Sequence, residues 1–180
     1  MPKNYEKMAL TLVMYTFIRG VINMENEIGN FWEMLCSDNQ EIQENGFRKW
    51  DEFKQRNPYY FDDIKKKLSK GFLKTYSKIN LHDFYVLNLN WCIQPLKSTE
   101  IKLLLYDYHE DYGKDLYFNM IYRKVSEYSF NAKYAEPAMT WGNDIFESTE
   151  GGMLKHRILF CNGTNIEIVF KTISLVKLKA

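Results

Sequence analysis

The sequence predicts an α+β protein in which about four N-terminal helices pack on a C-terminal antiparallel sheet or small sandwich of about six strands. Apolar residues recur at helical spacing up to residue 79, and from residue 80 onwards they alternate with the period of two that is typical of strands. The stretches between the predicted strands are too short for the helical crossovers that parallel pairing needs. We therefore expect a helical part, residues 1–79, and a strand part, residues 80–180, joined in one compact unit.

Three of the four predicted helices come before residue 57. The first covers residues 4–19, and the second covers residues 24–36, where apolar side chains follow helical spacing. The third begins at Asp38 or Asn39, because Asp38 and Glu41 have the spacing of a capping box.

The fourth helix has the clearest start. Asn57 is predicted to cap it, and Pro58 suits the first helical position. The basic run Lys65, Lys66 and Lys67 complements the negative C-terminal end, and Gly71 is predicted to end the helix. A solvated, dipole-complementing face is the preferred interpretation of the lysines, with phosphate binding as the alternative.

The strand part contains six runs of β-branched, aromatic and alternating residues. These predicted strands cover residues 84–93, 100–108, 116–128, 139–146, 157–161 and 166–178. An Asn162-Gly163 pair between the last two runs is the strongest hairpin signal in the chain. In the last run, Ile166, Ile168 and Phe170 share one face of the strand.

Cysteine usage and hydropathy predict a cytoplasmic protein. Cys36, Cys92 and Cys161 are odd in number and show no C-x-x-C spacing, which argues against a disulfide framework or a zinc ribbon. The uncharged apolar run at residues 8–18 is shorter than the roughly 20 residues that span a bilayer. It also lacks a signal-peptide cleavage site after it, so we interpret it as a buried helix.

Charge and aromatic content bear on the kind of partner. The formal net charge is only +1, and it divides evenly between the two parts of the chain, which argues against a general nucleic-acid binder. Aromatic residues reach 16%. They can fill the core, form a protein-binding patch or stack nucleic-acid bases on the sheet. The sequence alone leaves these three roles open, and the net charge disfavours the last.

No catalytic motif is present. The chain contains no G-x-S-x-G, no Walker loop, no G-x-G-x-x-G and no H-E-x-x-H. No catalytic residue, bound metal or cofactor is therefore predicted, and the sequence favours a function other than catalysis.

Five residues remain as candidate binding residues: His82, Asp83, His109, Trp141 and His156. The adjacent His82 and Asp83 could orient a general base or hold a metal, although neighbouring strand residues point to opposite faces. The alternative is that they satisfy backbone groups where the strand begins. His109 lies in an acidic turn that lacks the calcium-loop pattern. The three histidines suffice in number for a metal site, but their spacing does not indicate one.

Several short segments resemble an uncharacterised bacterial family known only as a domain of unknown function, which has a helical front and a β-rich back. The segments are 5–8 (YEKM), 59–65 (YYFDDIK), 81–83 (LHD), 156–163 (HRILFCNG) and 166–171 (IEIVFK). This resemblance implies the layout of the chain and no activity. The Leu-His-Asp start of the strand part also resembles bacterial toxin-immunity families, which are small cytosolic proteins that bind and neutralise a toxin. That likeness implies a protein partner.

Three function hypotheses follow. The leading one is a cytosolic protein-binding module, immunity-like in one form, whose partner is a toxin or a regulatory protein. The alternative is a metal-dependent hydrolase that uses His82, Asp83, His109 and His156. A nucleic-acid binder that uses the sheet aromatics or the lysine run is the third, and the charge argues against it. We expect no nucleic-acid or membrane partner, and a monomer or a homodimer.

Overall fold

The computed structural model describes residues 26–82, 84–92, 99–109, 114–132, 139–149 and 151–178. The helix predicted over residues 4–19 lies outside the described residues. Within the described residues, four helices precede eight antiparallel strands, which confirms the α+β fold class. The helices are α1 (residues 26–35), α2 (Gln40–Arg56), α3 (Pro58–Lys67) and α4 (Lys70–Tyr76). The strands are β1 (Tyr85–Cys92), β2 (Glu100–His109), β3 (Lys114–Arg123), β4 (Glu127–Asn131), β5 (Met139–Ser148), β6 (Leu154–Phe160), β7 (Asn165–Phe170) and β8 (Thr172–Lys177).

The chain divides into two compact units, Met1–Arg56 and Asn57–Ala180. The sequence-based division fell near residue 80, at the change from helical to strand periodicity. The structure groups α3 and α4 with the strands because buried side chains of both helices join the hydrophobic core of the sheet. Periodicity reports the type of an element, whereas the contacts of its apolar face decide which core it belongs to.

In the first unit, α2 begins where the sequence predicted a helix. The Asn39 side chain accepts hydrogen bonds from the backbone N–H of Glu41, at 2.9 Å, and of Ile42, at 3.3 Å. Gly46, which disfavours the middle of a helix, has a packing role here. A Cβ atom at this position would lie 2.9 Å from the Cβ of Met34 in α1. The glycine therefore allows the two helices to approach closely.

The helix after Asn57 differs from its prediction at its end. Pro58 occupies its first turn as predicted, although the Asn57 side chain makes no capping hydrogen bond. The predicted stop at Gly71 is wrong, because α3 ends at Lys67 and Gly71 lies inside α4. Ser69 starts this new helix by accepting a hydrogen bond from the backbone N–H of Phe72 at 3.1 Å.

The strands form one antiparallel sheet in the order β4-β7-β6-β5-β1-β2-β3-β8. The hairpin predicted at Asn162-Gly163 joins β6 to β7, and Gly163 has the positive φ of 80° that such a turn favours. Two runs predicted as single strands each bend once, β3 into β4 after Arg123 and β7 into β8 at Lys171.

These two bends lie side by side and bring the ends of the sheet together. β3 pairs with β8 and β4 pairs with β7. At the corner, the Lys171 N–H donates to the Arg123 carbonyl at 3.2 Å, and the Ser126 N–H donates to the Val169 carbonyl at 3.0 Å. The sheet therefore curls into a barrel, whose weakest join is the two-residue pairing of β1 with β5.

Alternating residues of the strands fill the barrel. Directly paired residues such as Leu103 and Met120, or Ile158 and Ile166, lie on the inner face and are fully buried. Ile64, Leu68 and Phe72 add the apolar faces of α3 and α4 to this core. Among the described residues, no helix is both long and apolar enough to cross a membrane.

Candidate functional site

Four hydrogen-bonded polar side chains lie among the apolar residues of the barrel core. The Tyr122 hydroxyl is 2.8 Å from His156 Nδ1, and His156 Nε2 is 2.7 Å from Asp144 Oδ2. The Tyr76 hydroxyl of α4 donates to the same Asp144 oxygen at 2.5 Å. We call Tyr122, His156, Asp144 and Tyr76 the polar chain. It joins three strands and one helix and brings four ionisable groups together inside the core.

A bulge in β5 places Asp144 on the inner face. The register between β5 and β6 shifts between Trp141 and Asn143, so that Trp141 and Asp144 can both face inwards. Gly142 occupies the bulge, where an added Cβ would lie 3.0 Å from the Leu159 carbonyl oxygen. Strict alternation from Trp141 would put Asp144 on the outer face, and for this reason the sequence alone did not identify it.

Aromatic rings surround the imidazole of His156. The Phe146 ring stacks on it with centroids 3.9 Å apart and an interplanar angle of 12°. Trp141 and Tyr122 lie at centroid distances of 5.8 and 5.9 Å. His156 is fully buried, whereas the Asp144 side chain keeps 13% of its surface exposed. The polar chain therefore meets solvent at the Asp144 end.

The hydrogen bonds determine where the protons lie. Burial, followed by the nearby Asp144 carboxylate, raises the pKa of Tyr76 and of Tyr122 well above the usual value of a phenol. Both hydroxyls therefore remain donors. When Tyr122 donates to Nδ1 of neutral His156, the proton of the imidazole lies on Nε2 and is donated to Asp144.

The polar chain also tolerates a second proton arrangement. Met120 Sδ lies 2.8 Å from the Tyr122 hydroxyl. A protonated His156 would donate from Nδ1 to the Tyr122 oxygen, and the hydroxyl proton would then turn towards the sulfur. In both arrangements every buried donor has an acceptor, which is the condition for keeping ionisable groups in a core.

Asp144 Oδ1 is the acceptor with the weakest contact in this group. Its partner is Trp141 Nε1 at 3.4 Å, which is long for a hydrogen bond. Oδ2, in contrast, accepts from Tyr76 and His156 at short range. Asp144 Oδ1 can therefore accept a further hydrogen bond, and the Asp144 side chain is partly exposed.

The structure brings together two of the predicted binding residues, His156 and Trp141. His82 is exposed in the turn before β1, and its backbone N–H donates to Asn80 Oδ1 at 3.2 Å. Asp83 and the side chain of His109 lie outside the described residues. In the part of the chain that the structure describes, no group of three His, Cys, Asp or Glu side chains could hold a metal ion.

Sequence reasoning missed Tyr76, Tyr122 and Asp144. The available signal was weak, because the sequence pattern of an alternating strand fits a tyrosine or aspartate on the outer face as well as on the inner face. Only the pairing register shows that Phe146 and His156 are directly opposite, with Asp144 two residues from Phe146 on the same face.

A second feature is a row of tyrosines on the outer face of the barrel. Tyr85, Tyr106 and Tyr117 are directly opposite one another on β1, β2 and β3. Their ring centroids lie 6.4 and 5.0 Å apart. Leu87, in a bulge of β1, is 53% exposed, and Tyr85 is 42% exposed. We call Tyr85, Leu87, Tyr106 and Tyr117 the tyrosine face.

An ion group lies on the outer face of the other half of the barrel. The Arg157 guanidinium contacts the Glu147 carboxylate, and it contacts the Glu167 carboxylate at 2.7 Å. Glu147 is buried, and this burial raises the pKa of its carboxyl group, although Arg157 opposes the shift. The three side chains satisfy one another, so we assign them a structural role.

Comparison of the chain with protein-family models, curated proteins and solved structures returned no match.

Proposed function

We propose that this protein is a cytoplasmic protein-binding module whose contact surface is the tyrosine face. The observation that carries the proposal is the continuous row of Tyr85, Tyr106 and Tyr117 beside the exposed Leu87. The partner is a toxin or a regulatory protein, and an immunity-like role is one form of this function.

The chemistry of these side chains supports a protein partner. Tyrosine buries a large ring and keeps a polar hydroxyl, and for this reason it is common at the energetic centres of protein interfaces. The rings project from three hydrogen-bonded strands, so little backbone freedom is lost on binding. Adjacent rings already contact each other, with Tyr106 and Tyr117 5.0 Å apart, which limits the motion of their side chains before a partner arrives.

The hydrolase alternative has less support from the described residues. His82 is exposed, whereas His156 is fully buried, and both of its ring nitrogens already contact Tyr122 and Asp144. A metal ligand needs a ring nitrogen with an available lone pair. The net charge of +1 likewise gives no support to nucleic-acid binding.

A pull-down from lysate of the source cells tests the proposal when it compares three forms of the tagged protein. The wild type should retain a stoichiometric protein at moderate salt. A variant with Tyr85→Ser and Tyr117→Ser should lose that protein, because both rings leave the face. The control is Tyr59→Ser, which removes a tyrosine that is 86% exposed on α3 and should retain the protein.

The pull-down can also contradict the proposal. Equal retention by the wild type and the double variant would show that the partner binds elsewhere. No retained protein at either low or moderate salt would argue against a binding module. Circular dichroism of all three forms checks that the substitutions leave the fold intact.

A further inference from the structure

A lysine-rich stretch runs from α3 to the turn after α4. Residues 64–82 contain six lysines and neither aspartate nor glutamate, whereas the whole chain has a net charge of only +1. Lys65 and Lys66 form ion pairs with Asp62 and Asp63, at 3.6 and 3.3 Å. The unbalanced positive charge therefore lies further along the chain, mainly on α4.

The lysines of α4 share one side of the helix. Lys70 and Lys74 lie in α4, Lys78 lies in the turn that follows, and all three are exposed. Residues four apart fall on one face of a helix. The opposite side carries Phe72 and Tyr76, which pack against the barrel core. With the described residues, none of the three lysines forms an ion pair. We call Lys70, Lys74 and Lys78 the lysine stripe.

Helix stability does not account for the lysine stripe. Like charges four residues apart repel each other, and the stripe contains two such pairs, Lys70 with Lys74 and Lys74 with Lys78. Lys70 is the first residue of α4, where the positive end of the helix dipole disfavours a cation. Lys74, in the last turn, suits the dipole. The stripe as a whole is therefore better explained by an anionic group that binds it.

Strand β8 joins the lysine stripe to the tyrosine face. β8 pairs with β3, and the Leu178 N–H donates to the Tyr117 carbonyl at 2.8 Å. On its other side, β8 packs against α4. Val176 of β8 is directly opposite Asn119, on the same outer face as Tyr117, and is 47% exposed. A partner that buries about 800 Å² on this chain can therefore cover both the tyrosine face and the stripe.

We propose that the partner of the tyrosine face carries an acidic segment, and that the lysine stripe binds this segment. The inference rests on the proposed function and adds the chemistry of the partner, which is a protein surface rich in aspartate and glutamate where it meets α4. In this arrangement the tyrosine face supplies the buried contact area, and the stripe attracts and orients the partner.

The surroundings of the stripe favour a protein over a nucleic acid or a membrane. The Tyr106 hydroxyl donates to the exposed Asp115 at 3.0 Å, so a nucleic acid that crossed the tyrosine face would bring phosphates towards a carboxylate. A helix that lies on a membrane inserts apolar side chains beside its lysines. The apolar residues of α4 are used in the barrel instead, where Phe72, Leu73 and Tyr76 pack.

The lysine stripe should act mainly on the rate of association and on its dependence on salt. Exposed charges around an interface steer the partner through the electric field of the surface, and salt screens this field. Removal of the three charges should therefore weaken capture of the partner without unfolding the protein.

Photo-crosslinking tests whether the partner reaches the stripe. A benzophenone amino acid replaces Ser77, which is exposed directly after α4, or Tyr117, and both forms are irradiated in nuclease-treated lysate of the source cells. Both positions should crosslink the same protein. The partner peptide attached at position 77 should be rich in aspartate and glutamate. Its yield should fall by about fivefold or more in about 0.5 M salt, because salt screens exposed charges.

A charge variant provides the second measurement. The stripe variant carries Lys70→Gln, Lys74→Gln and Lys78→Gln and should retain about fivefold less of the crosslinked protein in a pull-down at moderate salt. Circular dichroism checks that both variants fold. The control should change retention by less than about twofold, because it removes the same charge from exposed positions elsewhere, with Lys49→Gln, Lys54→Gln and Lys171→Gln.

The outcomes separate this inference from the proposed function. Crosslinking from position 117 without position 77, attachment outside an acidic segment, or equal retention by the stripe variant and its control would overturn the acidic contact and leave the tyrosine face as the binding surface. A product from position 77 that forms only in untreated lysate would identify a nucleic acid and overturn it as well. No product from position 117 would contradict the proposed function itself.

Discussion

At the residue scale, the fully buried His156 is constrained on several sides. Tyr122 and Asp144 engage its two ring nitrogens at 2.8 and 2.7 Å, and Phe146 stacks on its ring. Burial of a polar group is costly unless its hydrogen bonds are made. Removal of either partner should therefore lower stability, because a buried ring nitrogen of His156 would be left without its hydrogen bond.

Tyr122→Phe tests this dependence directly. The substitution keeps the buried ring and removes the donor to His156 Nδ1. We expect the free energy of unfolding to fall by about 1–3 kcal/mol, because a buried acceptor is left without its partner. Urea denaturation measures the change.

Tyr117→Phe, on the tyrosine face, is the control for Tyr122→Phe. It should change the free energy of unfolding by less than about 0.5 kcal/mol, as for other surface substitutions. Equal losses in the two variants would mean that the hydrogen bond to His156 contributes nothing specific.

Alkaline pH provides a second test of the buried phenols. The pKa of Tyr122 and of Tyr76 is raised in the folded state above the usual tyrosine value of about 10. Above about pH 10, the folded state therefore retains protons that the unfolded state has lost, and stability falls as pH rises. The fall should be shallower in Tyr122→Phe than in Tyr117→Phe. Parallel stability curves for these two variants above pH 10 would contradict the raised pKa of Tyr122.

At the element scale, the sequence predicted most helices and strands but not the bends that divide two of the predicted strands. The Asn162-Gly163 hairpin and the start of α3 at Pro58 are confirmed because local turn and cap chemistry specifies them. The bends after Arg123 and at Lys171 were missed, because neither bend contains a Gly, Pro, Asn or Asp residue that would indicate a turn. A bend set by pairing with a distant strand leaves no local signal.

The polar chain was predictable only in part for the same reason. His156 and Trp141 were selected as single residues with binding chemistry. Asp144 reaches them through a bulge at Gly142, and Tyr122 reaches His156 from a strand that does not pair with β6. The contacts of Asp144 and Tyr122 with His156 depend on the curvature of the sheet, which is set by long-range strand pairing.

The cap of α4 is a testable element of this structure. Ser69→Ala removes the acceptor for the Phe72 N–H and should lower the free energy of unfolding by about 1 kcal/mol. Ser69→Asp keeps a capping oxygen and adds a charge that suits the helix start, so it should be close to wild type. Thermal or urea unfolding compares the two variants. Equal stability of both would show that Ser69 does not cap α4.

At the scale of the whole molecule, polar contacts are divided between the inside and the outside of one barrel. The polar chain crosses the core, and the Arg157 ion group ties β5, β6 and β7 together on the outer face. The tyrosine face belongs to the opposite set of strands, β1, β2 and β3. This separation leaves the proposed contact surface free of the buried charges that hold the barrel together.

The ion group should give stability a dependence on pH. Burial raises the pKa of Glu147 above the usual value of a glutamate, so between the unfolded and the folded pKa the folded state binds more protons. Stability from this group therefore falls as pH rises through the folded pKa. The free energy of unfolding of Glu147→Gln, measured relative to that of the wild type, should therefore increase as the pH rises from about 4 to about 7. Urea unfolding measures this difference. The control is Glu127→Gln, at an exposed carboxylate; an equal gain there would contradict the effect of burial.

The central claim is that a protein partner binds the tyrosine face, and site-specific photo-crosslinking tests it most directly. A benzophenone amino acid replaces Tyr117 in one form of the protein and Tyr59 in another, and both are irradiated in lysate of the source cells. The account predicts one crosslinked protein from position 117 and none from position 59. Crosslinking from position 59 alone, or the same product from both positions, would contradict it.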